Sequence, residues 1–159
     1  MSDEAAWVRI EREFDAPVET VWAMWTEAEM FQKWYGPMGA SVPVAEMDLT
    51  VGGTRKIAME MQTPKGPMRM WFTGVYKEIE APRRLVYTES MCDENGTIIT
   101  AEQMGMPPGH PDVTDVIVDL SDEDGRTRMV MVHVGVPAGS PGAGGWGMAF
   151  DKLAAALAD

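Results

Sequence analysis

The segment that most constrains the fold is Gly145 to Ala158, which reads Gly-Trp-Gly-Met-Ala-Phe-Asp-Lys-Leu-Ala-Ala-Ala-Leu-Ala. Trp146, Ala149, Phe150, Leu153 and Leu157 recur at helical spacing and form one apolar stripe, which the alanines widen. Only Asp151 and Lys152 interrupt it. A helix so apolar around its circumference has to be covered by something large. About fourteen residues at 1.5 Å rise make a rod of about 21 Å, long enough to lie across several strands of a sheet.

The upstream chain supplies strands to cover it. Trp7 to Phe14 alternates apolar and charged residues, as a half-buried strand does. Asp15-Ala16-Pro17 stops that strand and starts a helix carrying Val18, Val21, Trp22 and Trp25. Thr26-Glu27-Ala28-Glu29 reads as a capping box, predicting a second short helix with Met30, Phe31 and Trp34 on its inner face, ended by Gly36-Pro37. Strands follow over Val42 to Leu49, Thr54 to Gln62, Met68 to Ile79 and Arg84 to Met91, separated by turns rich in Gly, Pro and Asn. Thr97 to Ala101 is a candidate for further pairing, and Gln103 to Pro111 reads as a loop. Thr114 to Leu120 and Arg126 to Val136 form a last hairpin around Ser121 to Gly125, and a loop from Pro137 to Gly144 leads into the final helix. Short turns imply an antiparallel meander that curls around the apolar rod. The expected fold is α+β: a curved antiparallel sheet of about six to seven strands around a long C-terminal helix, with two short helices after strand 1, in one domain over residues 1–159.

Composition narrows the function classes. A formal charge of −12 repels phosphate backbones and anionic headgroups, so neither nucleic acid nor a membrane surface is an expected partner. The single cysteine, Cys92, leaves no internal disulfide; the start lacks a basic, apolar leader, and no apolar run reaches about eighteen residues, so a cytoplasmic protein is expected. His110, His133 and Cys92 give no zinc-type spacing, and no metal or cofactor is expected. Asp93 and Glu94 beside Cys92 raise its thiol pKa and argue against a nucleophile. Gly142 to Gly147 fits G-x-G-x-x-G, yet no parallel strand can follow it, which leaves a flexible lead into the helix.

Several words in order carry a resemblance: Phe14-Asp15-Ala16-Pro17-Val18-Glu19-Thr20-Val21-Trp22, Trp34-Tyr35-Gly36-Pro37, Asp48-Leu49-Thr50-Val51-Gly52-Gly53, Pro82-Arg83-Arg84-Leu85-Val86-Tyr87-Thr88, His133-Val134-Gly135, and Gly145-Trp146 leading to Leu153-Ala154-Ala155-Ala156-Leu157. Together they resemble the helix-grip fold of the START-like (SRPBCC) superfamily, and more closely the family named after the C-terminal domain of the activator of the 90-kDa heat-shock chaperone's ATPase. The resemblance implies a pocket between the curved sheet and the long helix, used for apolar molecules. The namesake's co-chaperone activity needs an additional N-terminal domain, so a chaperone partner is not expected from it.

Within that frame the candidate ligand-binding residues are Trp25, Phe31, Trp34, Arg55, Ile57, Met59, Met61, Met70, Phe72, Tyr87, Met129, Met131, His133, Trp146 and Phe150. The methionines alternate along strands and so share a face, either as an adaptable pocket lining or as ordinary core. The resemblance places Met129, Met131 and His133 inward. His133 is then either one polar anchor in an apolar pocket or a structural histidine. Arg55 shares a face with Ile57 and Met59. Inward, it needs Glu46 or a ligand acid as partner; the exposed end of its strand is the favoured placement. Trp22, Trp25, Phe31 and Trp34 form either a cavity mouth hinged at Tyr35-Gly36-Pro37 or a plug.

The leading functional expectation is a cavity protein that binds an apolar or amphipathic small molecule without transforming it. The alternatives are a cyclase- or dehydratase-like enzyme, which requires at least two of His133, Tyr76, Tyr87 and Arg55 to converge in the cavity, and a protein-interaction module. The last would use outward-facing Ile117, Val130 and Val132, which could equally form a homodimer surface.

Overall fold

A computed structural model describes residues 7–105 and 111–158. Its elements are β1 (Trp7–Phe14), α1 (Val18–Thr26), α2 (Ala28–Phe31), β2 (Ser41–Met47), β3 (Thr54–Thr63), β4 (Gly66–Glu80), β5 (Arg84–Cys92), β6 (Thr114–Glu123), β7 (Arg126–Pro137) and α3 (Pro141–Leu157). The strands form one curved antiparallel sheet in the order β1-β7-β6-β5-β4-β3-β2. Sequential hairpins build six of the seven positions, and β1 adds to the free edge of β7. The α+β architecture, with two short helices after the first strand and a C-terminal helix, is the one the residue pattern predicts.

Two turns are tighter than the residues suggest. Pairing runs to Thr63 opposite Gly66, so β3 and β4 are joined by Pro64 and Lys65 alone. Likewise β6 and β7 pair to Glu123 opposite Arg126, leaving Asp124 and Gly125 at the tip. Both tip residues have positive φ (57° and 86°), the conformation a two-residue hairpin turn demands, and Asp and Gly are the side chains that tolerate it. Thr97 to Ala101 adds no strand; its pairing is one isolated bridge, Ile98 to Cys92. Most of the expected Gln103–Pro111 loop, with His110, lies outside the described residues.

Helix boundaries also move. The capping box does not form: the Thr26 hydroxyl donates to the Trp22 carbonyl at 2.9 Å inside the last turn of α1. Glu27 takes the N-cap place of α2 without a side-chain bond, and α2 is one turn that leaves Trp34 beyond its end. α3 begins at Pro141, four residues earlier than predicted, with Ser140 as its extended N-cap. Proline in the first turn is preorganised for helix, and the buried stripe outweighs the propensity penalty of Gly144, Gly145 and Gly147.

The stripe meets the core as expected. Trp146, Ala149, Phe150 and Leu153 are buried, and Phe150 packs on Trp25, Trp34 and Trp146 with ring centroids 5.5–6.0 Å apart. Trp25 meets Trp34 edge to face at 4.8 Å, and Phe31 lies under both Trp34 and Tyr35. These aromatics form one buried cluster in the core. Among the described residues no helix is long and apolar enough to cross a membrane.

Candidate ligand-binding site

Strand alternation sends Met59 of β3, Phe72 of β4, Glu89 of β5 and His133 of β7 to the inner face of the sheet. Opposite them lie Gly145, Trp146 and Ala149 of α3, and the segment Tyr35-Gly36-Pro37 after α2 closes the side. Between these surfaces is a cavity of about 190 Å³. Gly36 has φ +91°, and a Cβ there would stand 2.6 Å from the Met59 sulfur, so only glycine lets this segment approach β3. Lys152 fixes the same segment to α3: its Nζ lies 3.3 Å from each of the carbonyl oxygens of Tyr35, Gly36, Pro37 and Ala40. Burial pulls the Lys152 pKa down.

The cavity wall carries one polar network. The Trp146 indole N–H donates to His133 Nδ1 at 3.0 Å, so the neutral ring holds its proton on Nε2. Nε2 lies 2.8 Å from Thr114 Oγ1 and 3.4 Å from Glu89 Oε2. The Thr114 hydroxyl donates onward to the Glu89 carbonyl, which leaves its oxygen free to accept from Nε2–H. The Tyr35 hydroxyl donates to Glu89 Oε1 at 2.9 Å. Burial lowers the His133 pKa, and the charges of Glu89 and Asp115 offset only part of that. Burial, reinforced by the Glu89 charge, drives the Tyr35 pKa well up. Both histidine nitrogens are therefore engaged, with neither idle as a general base.

A second polar cluster lies apart from the cavity lining. Arg55 is 2% exposed, against the placement at an exposed strand end favoured by the residue pattern. Its guanidinium carbon stacks 3.8 Å from the centroid of Tyr87, with Phe31 at 5.3 Å and Tyr76 at 6.0 Å. Glu46 cannot serve as its partner, because the register sets Glu46 opposite Lys56 and Met47 opposite Arg55, so Glu46 faces the other side of the sheet. Among the described residues no carboxylate lies within 4.0 Å of Arg55. Arg55 Nε and the hydroxyls of Tyr76 and Tyr87 are buried without hydrogen-bond partners. Three of the four enzyme candidates thus meet here, but off the cavity lining, where His133 is the one of the four present.

Of the candidate residues, Met59, Phe72, His133 and Trp146 line the cavity. Trp25, Phe31, Trp34, Ile57, Met129, Met131 and Phe150 pack in the core, Met61 and Met70 are half-buried against it, and Arg55 and Tyr87 form the second cluster. Tyr35 and Glu89 also belong to the site. The signal for Glu89 is its place two residues after Tyr87 on one strand, which puts both on one face. Val132 is buried and Ile117 and Val130 are half-buried, so these three do not make an open apolar patch. No group of three or more His, Cys, Asp or Glu among the described residues is placed to hold a metal ion.

The fold recurs in known structures. A protein from Chromobacterium violaceum superposes with a TM-score of 0.77 at 23% identity, over 98% of this chain and 99% of its own. A protein from Arthrobacter aurescens gives 0.73 at 29% identity, over 99% and 89%. The AHSA1 protein from Silicibacter pomeroyi gives 0.71 at 23% identity, over 96% and 98%. No functionally curated protein matches the chain. The family model described as activator of Hsp90 ATPase homolog 1-like protein matches residues 15–158, and the chain belongs to that family.

Proposed function

We propose that this protein binds a compact, largely apolar small molecule in the space between the sheet and α3. The observation that carries this reading is the cavity itself: about 190 Å³ walled by Met59, Phe72, Val136, Trp146 and Ala149, with polar groups confined to the Tyr35–Glu89–His133 side. Apolar walls with a few convergent polar groups are the usual form of a small-molecule site. The volume is about six times the 30 Å³ share of a liquid water. It is below the roughly 300–1,000 Å³ of drug-sized pockets, which favours a small ligand over a lipid or polyketide.

Binding without chemistry is favoured over an enzyme because His133 has both nitrogens committed and Arg55, Tyr76 and Tyr87 lie elsewhere. Native mass spectrometry of the purified protein, followed by organic extraction, tests the reading. A discrete small adduct that is absent from a Gly145→Leu variant is the expected result. A clean apo mass, with no uptake from a panel of small apolar and amphipathic compounds, would overturn it.

A further inference from the structure

Glu89 sets the chemistry of the cavity. Its side chain is 8% exposed, one oxygen takes the Tyr35 hydroxyl at 2.9 Å, and the other faces the neutral Nε2–H of His133 at 3.4 Å. No lysine or arginine nitrogen among the described residues lies within 4.0 Å of it. The carboxylate accepts one hydrogen bond, from the Tyr35 hydroxyl, and the buried Arg55 guanidinium acts on it only through space, so oxygen lone pairs on the cavity side remain for a cation to meet. An anionic ligand would meet the same carboxylate at low dielectric and be rejected.

The walls beside Glu89 are aromatic and set at steep angles. Tyr35 stands at 88° to Phe72 with centroids 6.3 Å apart, and at 74° to Trp146 with centroids 5.8 Å apart. A cation lodged in that corner comes within the ~6 Å of ring centroids over which cation–π attraction acts. The same walls offer few acceptors, and Glu89 already spends part of its capacity on Tyr35 and His133. A primary ammonium, which brings three N–H donors to satisfy, is poorly served there; an N-alkylated ammonium brings fewer or none.

We infer that the ligand is a small N-alkylated ammonium compound, its charge held by Glu89 and the aromatic corner of Tyr35, Phe72 and Trp146. This deepens the proposed function and rests on it. The net charge of −12 also draws cations toward the protein.

The test is calorimetric titration of the full chain with three isosteric probes: choline, its neutral carbon analogue 3,3-dimethylbutan-1-ol, and 3,3-dimethylbutanoate. Choline should bind at least tenfold tighter than the neutral probe, and the carboxylate weakest. Glu89→Gln, which keeps an acceptor for Tyr35, should weaken choline at least tenfold and move the neutral probe far less. Phe72→Leu, at a half-buried position less exposed to misfolding, should also weaken choline selectively; circular dichroism checks both folds. Equal binding of choline and the alcohol, both blocked by Gly145→Leu, would refute the cation and leave the cavity reading standing. Tightest binding by the carboxylate would refute the cation too, and absence of binding by all three would overturn both.

Discussion

Replacing Gly145 by leucine should raise stability and abolish binding together. Gly145 lies inside α3 and lines the cavity, and a Cβ built on it meets no atom within 4 Å. Removing a glycine from a helix interior gains about 0.8–1.0 kcal/mol. Each further CH₂ buried is worth about 0.8 kcal/mol, so partial burial of the new side chain adds roughly another 1 kcal/mol. The sum, about 1–2 kcal/mol, corresponds to a rise in Tm of about 2–8 °C for a chain of this size. A thermal melt followed by circular dichroism reads the first effect, and titration with choline and its neutral analogue reads the second. A fall in Tm would show that leucine overpacks and that the open space next to Gly145 is not there. A raised Tm with binding intact would place the ligand elsewhere.

Three other outcomes follow from the same structure. The His133 pKa is lowered on folding, so the unfolded chain takes up the proton first as pH falls below about 6.5; stability is complete above that value and declines below it, and His133→Gln should flatten the slope of Tm against pH. Arg55→Met should lower the stability measured by urea unfolding by about 3 kcal/mol, since the tyrosines around the guanidinium and the Glu89 charge favour the charged form despite its burial, and the change leaves Glu89 as a buried carboxylate facing no cation; an unchanged or raised stability would show that desolvating the guanidinium outweighs these contacts. Lys152→Met should free residues 35–40 from α3, seen as faster amide exchange across that segment with exchange in β6 and β7 unchanged; uniform loss of protection would instead mark Lys152 as a determinant of global stability.

How far the residues predict this structure depends on the range of the information. Period-2 alternation and the apolar stripe fix the strands, the inner faces and the helix that packs on them, because both depend on burial of one side. They also place Met59, Phe72, His133 and Trp146 where they could meet. Alternation alone does not say how far along the sheet a side chain sits from the helix. Met129 and Met131 share the face of His133 yet pack as core. Arg55 illustrates a different limit: burying a charge without a hydrogen-bonded carboxylate runs against transfer energetics, and the rings of Tyr87, Tyr76 and Phe31 together with the Glu89 charge, brought from other elements, supply the surroundings. Glu89 reads as a surface acid on an alternating strand until Tyr35 and His133 arrive from α2's far side and from β7. Thr26 shows competition at short range, where its hydroxyl bonds back to Trp22 in place of capping α2.

The most direct measurement is a ¹⁵N NMR titration of the indole N–H signals of the chain's six tryptophans with choline and 3,3-dimethylbutan-1-ol. Trp146 is the one whose ring lines the cavity, and its N–H is bound to His133; the Trp34 N–H is bound to the Met24 carbonyl in the core, and Trp71 lies beside Lys56 on the outer face. Binding in the cavity predicts a saturable shift of the Trp146 signal with Trp34 and Trp71 still, and its disappearance in Gly145→Leu. Shifts at Trp71 or Trp22 with Trp146 unmoved, or a Trp146 shift that survives the leucine, would contradict the account.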